Sequence, residues 1–201
     1  GLQRADSVTI DPHKWFFQPC DIGALLVQRR EDLRSTFMSR PEYYRASYNS
    51  EEALNWYEYS IEGTRRFRAL KLWMSWKHLG TTGLGRLVEH NNDLASYLSE
   101  RIAESPEFEA VPALPELSVV CFRHLPPALR HARNSNQEEL DRHQDQLQRA
   151  LEISGEAWLS TTRLRGRTYL RAGILNYFST ADDIDHLLQT LSRLGAEVGG
   201  I

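Results

Sequence analysis

One amine stands out in this sequence because lysine is scarce. Only three of the 24 basic residues are lysine, at positions 14, 71 and 77, and the other 21 are arginine. Lys71 and Lys77 fall within a predicted helix, where a lysine stem packs along the surface while its ammonium stays in water. Lys14 follows His13 on a short turn between two apolar segments. It is therefore the lysine whose position is best suited to chemistry.

The setting of Lys14 is compatible with imine formation. Pro12 ends the apolar segment before the turn, and three aromatic residues follow the lysine. Burial without a fixed counter-charge favours the neutral form of an amine, and a neutral, positioned amine can attack an aldehyde. A structural role is the alternative, in which Lys14 forms an ion pair with Asp11 or Asp21. These residues alone leave both possibilities open.

The segments around the turn predict how it is held. Residues 7–10 and 22–27 are predicted strands, and the second has the continuous apolar character of a strand buried on both faces of an α/β sheet. Residues 31–62 carry five tyrosines without a clear periodicity. This segment is predicted to form a loop with short helical turns, long enough to act as a functional lid.

Helical periodicity dominates the middle of the chain. Apolar residues predict a helix that Gly80 stops, followed by a long amphipathic helix that ends at Ser105. Thr180 is predicted to cap a last helix. From about residue 107 the pattern indicates a small α+β domain. Its strands and helices are predicted over residues 117–122, 140–151, 158–160, 169–175 and 180–194.

Composition and charge argue against several classes of protein. The 41% hydrophobic and 25% charged residues are typical of a soluble globular chain. No apolar run approaches the roughly 20 residues of a membrane span, and the first residues lack a signal-peptide pattern, so a cytoplasmic location is expected. The net charge of −3 argues against nucleic acid as a partner. Cys20 and Cys121 lie far apart, so neither a metal site nor a disulfide framework is expected.

Several motifs occur together at an informative spacing. The Asp-Pro-His-Lys-Trp turn precedes an apolar strand, and an Arg-Arg-Phe-Arg segment at 65–68 opens the first long helix. In this order they resemble the C-terminal portion of the group II pyridoxal-phosphate decarboxylases, the aromatic-L-amino-acid decarboxylase family. The likeness continues through residues 119–123 and 169–171 and covers nearly the whole chain.

This resemblance implies the fold and its division into parts. The fold class would be α/β, as in the fold-type I (aspartate aminotransferase-like) enzymes that bind pyridoxal phosphate. The chain would supply only the C-terminal part of that fold. Residues 1–62 would end the large cofactor-binding domain, residues 63–106 would form connecting helices, and residues 107–201 would form the small α+β domain.

The resemblance also implies four cofactor-binding residues. Lys14 would carry the internal aldimine with pyridoxal 5'-phosphate, and His13 would lie near the cofactor phosphate. Asp11 stands where many relatives have asparagine, and its carboxylate would repel phosphate unless a donor or a water intervened. Thr64 stands where relatives have glycine or serine, on a loop that reaches the partner subunit's active site. Its side chain would narrow the space for a large substrate ring.

A tyrosine in the predicted loop is the second catalytic candidate. Tyr43 matches the tyrosine with which the family protonates the substrate carbon after CO2 has left, a step that a phenol suits. Tyr44 is adjacent, so the register could be shifted by one residue. Family members with phenylalanine at this point tend to form aldehydes, and the tyrosine therefore favours amine formation.

The function implied is decarboxylation of an L-amino acid, expected to be aromatic, by a homodimeric enzyme dependent on pyridoxal phosphate. The family's ring-stacking histidine, its pyridine-binding aspartate and its phosphate loop are not found in these residues. An N-terminal complement, as a second chain or a further segment, would supply them. The alternatives are an aldehyde synthase of the same family and a non-catalytic structural or regulatory subunit.

Overall fold

A computed structural model of the chain describes residues 1–38, 42, 55–130 and 136–199. The chain forms two compact units, residues 1–81 and 82–201, which we describe separately. The candidate catalytic residue Tyr43 and its neighbour Tyr44 lie outside the described residues. None of the described helices is long and apolar enough to cross a membrane.

The first unit contains an antiparallel hairpin of strands β1 (Ser7–Ile10) and β2 (Ala24–Val27). The pairing confirms the two predicted strands, although β2 begins two residues later than expected. The prediction that the second strand is buried on both faces is wrong for this unit, because Leu25 and Leu26 are 51% and 56% exposed. The continuous apolar pattern belongs to a strand with neighbours on its faces, and the two-stranded hairpin does not provide them.

A helix occupies the start of the predicted loop. This helix, α1 (Arg30–Phe37), has Glu31 and Asp32 in its first turn, where carboxylates suit the positive end of the helix dipole. A single 3-10 turn at Trp56–Glu58 follows the undescribed residues. Sequence periodicity did not reveal α1 because none of its residues is buried.

Helix α2 (Ala69–Glu104) is interrupted where the sequence predicts a stop. Gly80 has φ 65° and ψ 177°, a backbone conformation that is almost restricted to glycine. The residues after it bury a stripe that includes Leu94, Leu98 and Ile102, as the periodicity predicts. The helix therefore behaves as the two consecutive helices expected from the sequence.

The second unit is built on an antiparallel sheet in the strand order β3-β4-β6-β5. Apolar side chains from α2 and the two long helices that follow pack with those of the sheet into the main core. The elements after residue 107 have the α+β character expected from the sequence, and the compact unit also includes the end of α2. Its elements are β3 (Phe108–Ala110), β4 (Val119–His124), α3 (Pro127–Arg130), α4 (Gln137–Ser154), β5 (Ser160–Leu164), β6 (Arg167–Gly173) and α5 (Ala181–Val198).

Two histidines are buried side by side in this unit. His124 Nδ1 and His143 Nε2 are 2.8 Å apart, and the two residues are 2% and 4% exposed. Gln144 donates to the His124 carbonyl oxygen and accepts from its backbone N–H. The ring of His124 also packs against Gly195 so closely that an added Cβ would clash with it. One imidazole must donate and the other accept, so the pair is suited to the neutral state.

Replacing Thr180 by alanine should destabilise the second unit by about 1 kcal/mol. Thr180 and Asp183 form a reciprocal capping box, in which each side chain accepts from the other residue's backbone N–H. Chemical unfolding followed by far-UV circular dichroism measures the loss. Ser179→Ala, one residue earlier, is the control and should change the free energy of unfolding by much less. Equal effects of the two substitutions would show that the cap contributes nothing specific.

Candidate active site

Main-chain hydrogen bonds fix the turn that carries Lys14. The Lys14 N–H donates to the Asp11 carbonyl at 2.9 Å, and the Phe17 N–H donates to the Lys14 carbonyl at 2.8 Å. A third bond runs from the Gln18 N–H to the Pro12 carbonyl at 3.0 Å. The turn connects β1 and β2, whose pairing holds its two ends. Lys14 is thus displayed on a defined backbone conformation.

Asp11 is the partner of the Lys14 side chain. Lys14 Nζ lies 2.7 Å from Asp11 Oδ2, and the two side chains are 55% and 40% exposed. The hydrogen bond and the positive charge of Lys14 hold the pKa of the Asp11 carboxyl below its usual range. Of the two acidic partners that the sequence allowed for Lys14, the structure shows Asp11, and a turn at the end of a two-stranded hairpin leaves both side chains accessible.

Asp21, the other acidic residue considered for Lys14, pairs elsewhere. Its Oδ2 accepts from Arg68 Nε at 3.1 Å, and its Oδ1 lies 3.6 Å from Arg66. Arg68 also contacts Glu62 at 3.1 Å. Hydrogen bonds from its own backbone and from Arg68 lower the pKa of the Asp21 carboxyl. Two residues of the Arg-Arg-Phe-Arg segment are therefore ion-pair partners in this unit.

His13 is anchored to the end of the loop before β2. Its Nδ1 lies 2.9 Å from the carbonyl oxygen of Ile22. A carbonyl oxygen can only accept, so Nδ1 carries the proton, and Nε2 is the ring nitrogen available to a ligand. Sequence reasoning placed His13 beside the lysine, and the structure adds which nitrogen the fold uses.

Thr64 lines a cavity of about 840 Å³ within the first unit. Gly23, Trp56 and Arg65 also line it, and the Arg65 guanidinium carbon lies 5.4 Å from the centre of the Trp56 ring. Lys14 is not among the lining residues. The structure thus brings Asp11, His13 and Lys14 together on one turn and places Thr64 on the wall of a separate cavity, while Tyr43 lies outside the described residues.

Two paired charged residues of the first unit escaped sequence reasoning. Arg34 of α1 forms an ion pair with Glu58, whose side chain is only 2% exposed. The signal was present in the sequence, because Glu58 lies in a short aromatic run where a carboxylate is out of place. Its partner could not be identified from spacing, since the contact joins residues 24 positions apart.

Comparison with known proteins gives consistent matches. Residues 1–125 match the pyridoxal-dependent decarboxylase conserved domain. The chain is 35% identical to aromatic-L-amino-acid decarboxylase of Bacillus atrophaeus over 200 residues, which cover 98% of this chain and 40% of the relative. It is 32% identical to human cysteine sulfinic acid decarboxylase over 213 residues, covering 98% of this chain and 41% of the relative.

A solved structure shows the same likeness in three dimensions. The crystal structure of Oryza sativa TDC with PLP and tryptamine aligns with a TM-score of 0.87 at 26% identity, covering 98% of this chain and 40% of that one. The likeness confirms the predicted fold class, the C-terminal part of a fold-type I architecture. The chain spans about two fifths of the length of each of these relatives.

Proposed function

We propose that this chain, which belongs to the pyridoxal-dependent decarboxylase family, forms the lysine-bearing part of an enzyme. That enzyme would convert an L-amino acid into its amine and CO2. The observation that carries the proposal is the accessible amine of Lys14, held on a turn closed by main-chain hydrogen bonds. An aromatic substrate is our finer proposal. It rests on the similarity to aromatic-L-amino-acid decarboxylase.

The residues of the turn fit pyridoxal phosphate. The cofactor needs a primary amine that its aldehyde can reach, and the Lys14 side chain is 55% exposed. When bound, pyridoxal phosphate supplies the aldehyde that condenses with an amine and a ring that accepts the electron pair left by departing CO2. Lys14 is the residue that would hold it covalently. His13 would contact the cofactor phosphate through Nε2, since its Nδ1 is hydrogen-bonded to the Ile22 carbonyl.

We assign Asp11 the role of holding the Lys14 side chain. Its Oδ2 lies 2.7 Å from Lys14 Nζ, so the amine must leave Asp11 before it can attack an aldehyde. A direct contact of Asp11 with phosphate is the less favourable role, because a carboxylate in its ionised form has no proton to donate.

Thr64 is proposed to limit the substrate pocket. The resemblance puts it on a loop that would reach the partner subunit's active site, where its side chain would be larger than the glycine or serine typical of the family. Such a difference in size discriminates between substrates by roughly 1–3 kcal/mol. The proposed pocket therefore accommodates a single aromatic ring more readily than an indole.

Further polypeptide is proposed to complete the site. The first unit exposes more than half of several large apolar side chains, and covering the exposed part of each would contribute about 1–2 kcal/mol. We propose that the N-terminal complement and the second subunit of a cytoplasmic homodimer cover this surface, with residues 1–62 closing the large domain. The side chains concerned include Leu25, Leu26, Trp56, Phe67, Trp73 and Met74.

The proposal is tested with the chain assembled with its N-terminal complement and loaded with pyridoxal phosphate. Aromatic and acidic L-amino acids are supplied separately, and amine, CO2, ammonia and hydrogen peroxide are measured. We expect equal amounts of amine and CO2 from aromatic substrates. Peroxide and ammonia equal to CO2 would instead identify an aldehyde synthase. A loaded assembly that releases no CO2 would identify a non-catalytic subunit.

Replacing Tyr43 by phenylalanine should lower amine formation by about 100-fold or more. The proposed reason is loss of the phenolic proton that reaches the substrate carbon after CO2 has left. With the proton delayed, dioxygen competes for that carbon, so peroxide per CO2 should rise. Tyr44→Phe is the matched control and should retain amine formation. The opposite pattern in the two variants would assign the role to Tyr44.

A further inference from the structure

The connection between β1 and β2 is long for a hairpin. It runs over residues 11–23, whereas hairpin loops usually have about two to five residues. Strand pairing holds the two ends of such a connection but does not determine where its middle lies. The main-chain hydrogen bonds described above for the turn all lie within residues 11–18. The place of the turn that carries Lys14 therefore depends on the other elements that contact it.

A strained residue lies in this turn. Phe17 has φ 54°, in the left-handed region that residues with a bulky side chain rarely adopt. Such a conformation persists only where the surrounding structure holds it in place. The residues on either side of it, Phe16 and Gln18, both contact α2. These contacts hold an unfavourable backbone conformation three residues after Lys14.

Side chains of α2 contact the residues that follow Lys14 in the turn. We call three of them the α2 anchor: Lys71, Ser75 and Trp76. The rings of Trp76 and Phe16 are stacked, with their centroids 5.7 Å apart and an angle of 22° between their planes. Lys71 Nζ donates to the Pro19 carbonyl oxygen at 2.6 Å. The anchor thus holds the turn through both an aromatic contact and a hydrogen bond to the main chain.

Gln18 is the buried part of this contact, because it is only 5% exposed. Its Nε2 donates to the Phe16 carbonyl oxygen at 2.6 Å, and its Oε1 lies 3.3 Å from Ser75 Oγ. The Ser75 hydroxyl shares its single proton with the Lys71 carbonyl oxygen, which lies 3.0 Å away. A buried amide is costly unless its polar atoms are hydrogen-bonded. These bonds therefore favour one position of the turn against α2.

The position of the turn matters because the Lys14 amine must reach an aldehyde carbon. Condensation joins the neutral amine to that carbon, and one water leaves with the aldehyde oxygen and two amine hydrogens, so no oxidant or reductant is needed. A displacement of about 1 Å can slow a reaction between positioned groups by about 100-fold. The Lys14 side chain is flexible and 55% exposed. Placement of the amine therefore depends on the backbone of the turn.

We propose that Lys71, Ser75 and Trp76 are positioning residues for Lys14. This inference rests on the proposed function, in which Lys14 holds pyridoxal phosphate. The α2 anchor sets where residues 16–19 lie, and the main-chain hydrogen bonds of the turn join these residues to Lys14 and the residues before it. Loss of the anchor would leave the amine chemically intact but would slow its condensation with the aldehyde.

The test compares Lys71→Met with the matched control Lys77→Met in the chain assembled with its N-terminal complement. Both variants remove one lysine of α2, but the Lys77 ammonium faces the Trp73 ring, 5.9 Å from its centre. Pyridoxal phosphate is added to the cofactor-free assembly. Visible absorption and borohydride trapping with mass spectrometry then give the rate of covalent attachment to Lys14. We expect Lys71→Met to slow attachment by about 10- to 100-fold and Lys77→Met to leave it unchanged.

Binding of pyridoxine 5'-phosphate separates positioning from general loss of structure. This compound has an alcohol in place of the aldehyde, so it can occupy the site but cannot condense with an amine. We expect its Kd to be the same in Lys71→Met and in the unmodified assembly. Equal losses of binding and of attachment rate would show damage to the whole site and would overturn the positioning role. Lys71→Arg keeps a donor for the Pro19 carbonyl and should restore most of the rate.

A second pair of variants keeps the test decisive if Lys71→Met folds poorly. Trp76→Phe keeps an aromatic ring against Phe16, whereas Trp76→Leu removes the stacking. Attachment should be slower in Trp76→Leu than in Trp76→Phe, with the same Kd for pyridoxine 5'-phosphate. An unchanged rate in folded Lys71→Met, or equal rates in the two Trp76 variants, would overturn the positioning role. Absence of attachment to Lys14 in the unmodified assembly would instead overturn the proposed function.

Discussion

Replacing Lys14 by alanine is expected to abolish covalent attachment of pyridoxal phosphate and, with it, decarboxylation. The turn would keep its backbone hydrogen bonds, because none of them involves the lysine side chain. What disappears is the amine that the aldehyde requires, and no main-chain group can replace it. Neither of the other lysines lies on this turn, since both belong to α2.

The measurement uses the small number of lysines in the chain. Borohydride reduction of the loaded assembly fixes the cofactor to its lysine, and mass spectrometry of the intact chain and its peptides then locates it among three candidates. We expect the added mass on the peptide containing Lys14. Visible absorption of the bound cofactor gives an independent reading of the same attachment.

Lys77→Ala is the matched control. The Lys77 ammonium lies 5.9 Å from the centre of the Trp73 ring, an exposed contact whose loss costs little. This variant should bind cofactor like the unmodified chain. Lys71 is less suitable as a control because its Nζ donates to the Pro19 carbonyl at 2.6 Å, close to the turn. Cofactor fixed to either of these lysines, or an absorption band retained by Lys14→Ala, would contradict the assignment.

The elements that sequence predicted best are those whose signals are local. Thr180 and Asp183 lie three residues apart, so the capping box of α5 depends only on neighbouring residues. Gly80 stops a helix for an equally local reason, its positive φ. The turn around Lys14 belongs to the same group, because proline and the adjoining strands determine its place in the chain.

The features that escaped prediction depend on contacts between distant residues. Sequence allowed Lys14 to pair with Asp11 or with Asp21, and only the fold brings Arg68 to Asp21 and leaves Asp11 to the lysine. The exposure of Leu25 has a related cause. The apolar pattern of its strand indicates that both faces can be buried, but it does not show which elements lie against those faces. Arg34 and Glu58 likewise belong to different elements, and the sequence could not show that these elements are in contact.

The buried pair His124–His143 is the clearest case of such a distant contact, and it predicts a pronounced pH dependence. The pKa of each imidazole is lowered to about 4, chiefly by burial, and for His124 charge repulsion from His143 contributes to this lowering. Glu107 and Arg130 also act on His124, in opposite directions. The charged forms are thus disfavoured in the folded state.

The sign of the effect follows from proton uptake. In the unfolded chain each imidazole titrates near pH 6.5, so between about pH 4 and 6.5 the unfolded state binds more protons than the folded state. Stability therefore rises with pH across this window and is lost as the pH falls. From pH 7 to pH 5, the free energy of unfolding of the second unit should drop by about 2 kcal/mol for each imidazole.

Hydrogen exchange of the β4 and α4 amides, measured by mass spectrometry at pH 7 and pH 5 and corrected for intrinsic rates, gives this difference. Carboxylates whose pKa is lowered in the folded state, such as Asp183, lose their contribution to stability only at lower pH, so they do not obscure the change between pH 7 and pH 5.

His124→Asn combined with His143→Gln places amide groups near the two bonded nitrogens without a titrating proton, so the pH dependence should flatten. His186→Gln, which changes a side chain 59% exposed, should leave it intact. A double variant that loses as much stability between pH 7 and pH 5 as the unmodified chain would exclude the buried pair as the cause.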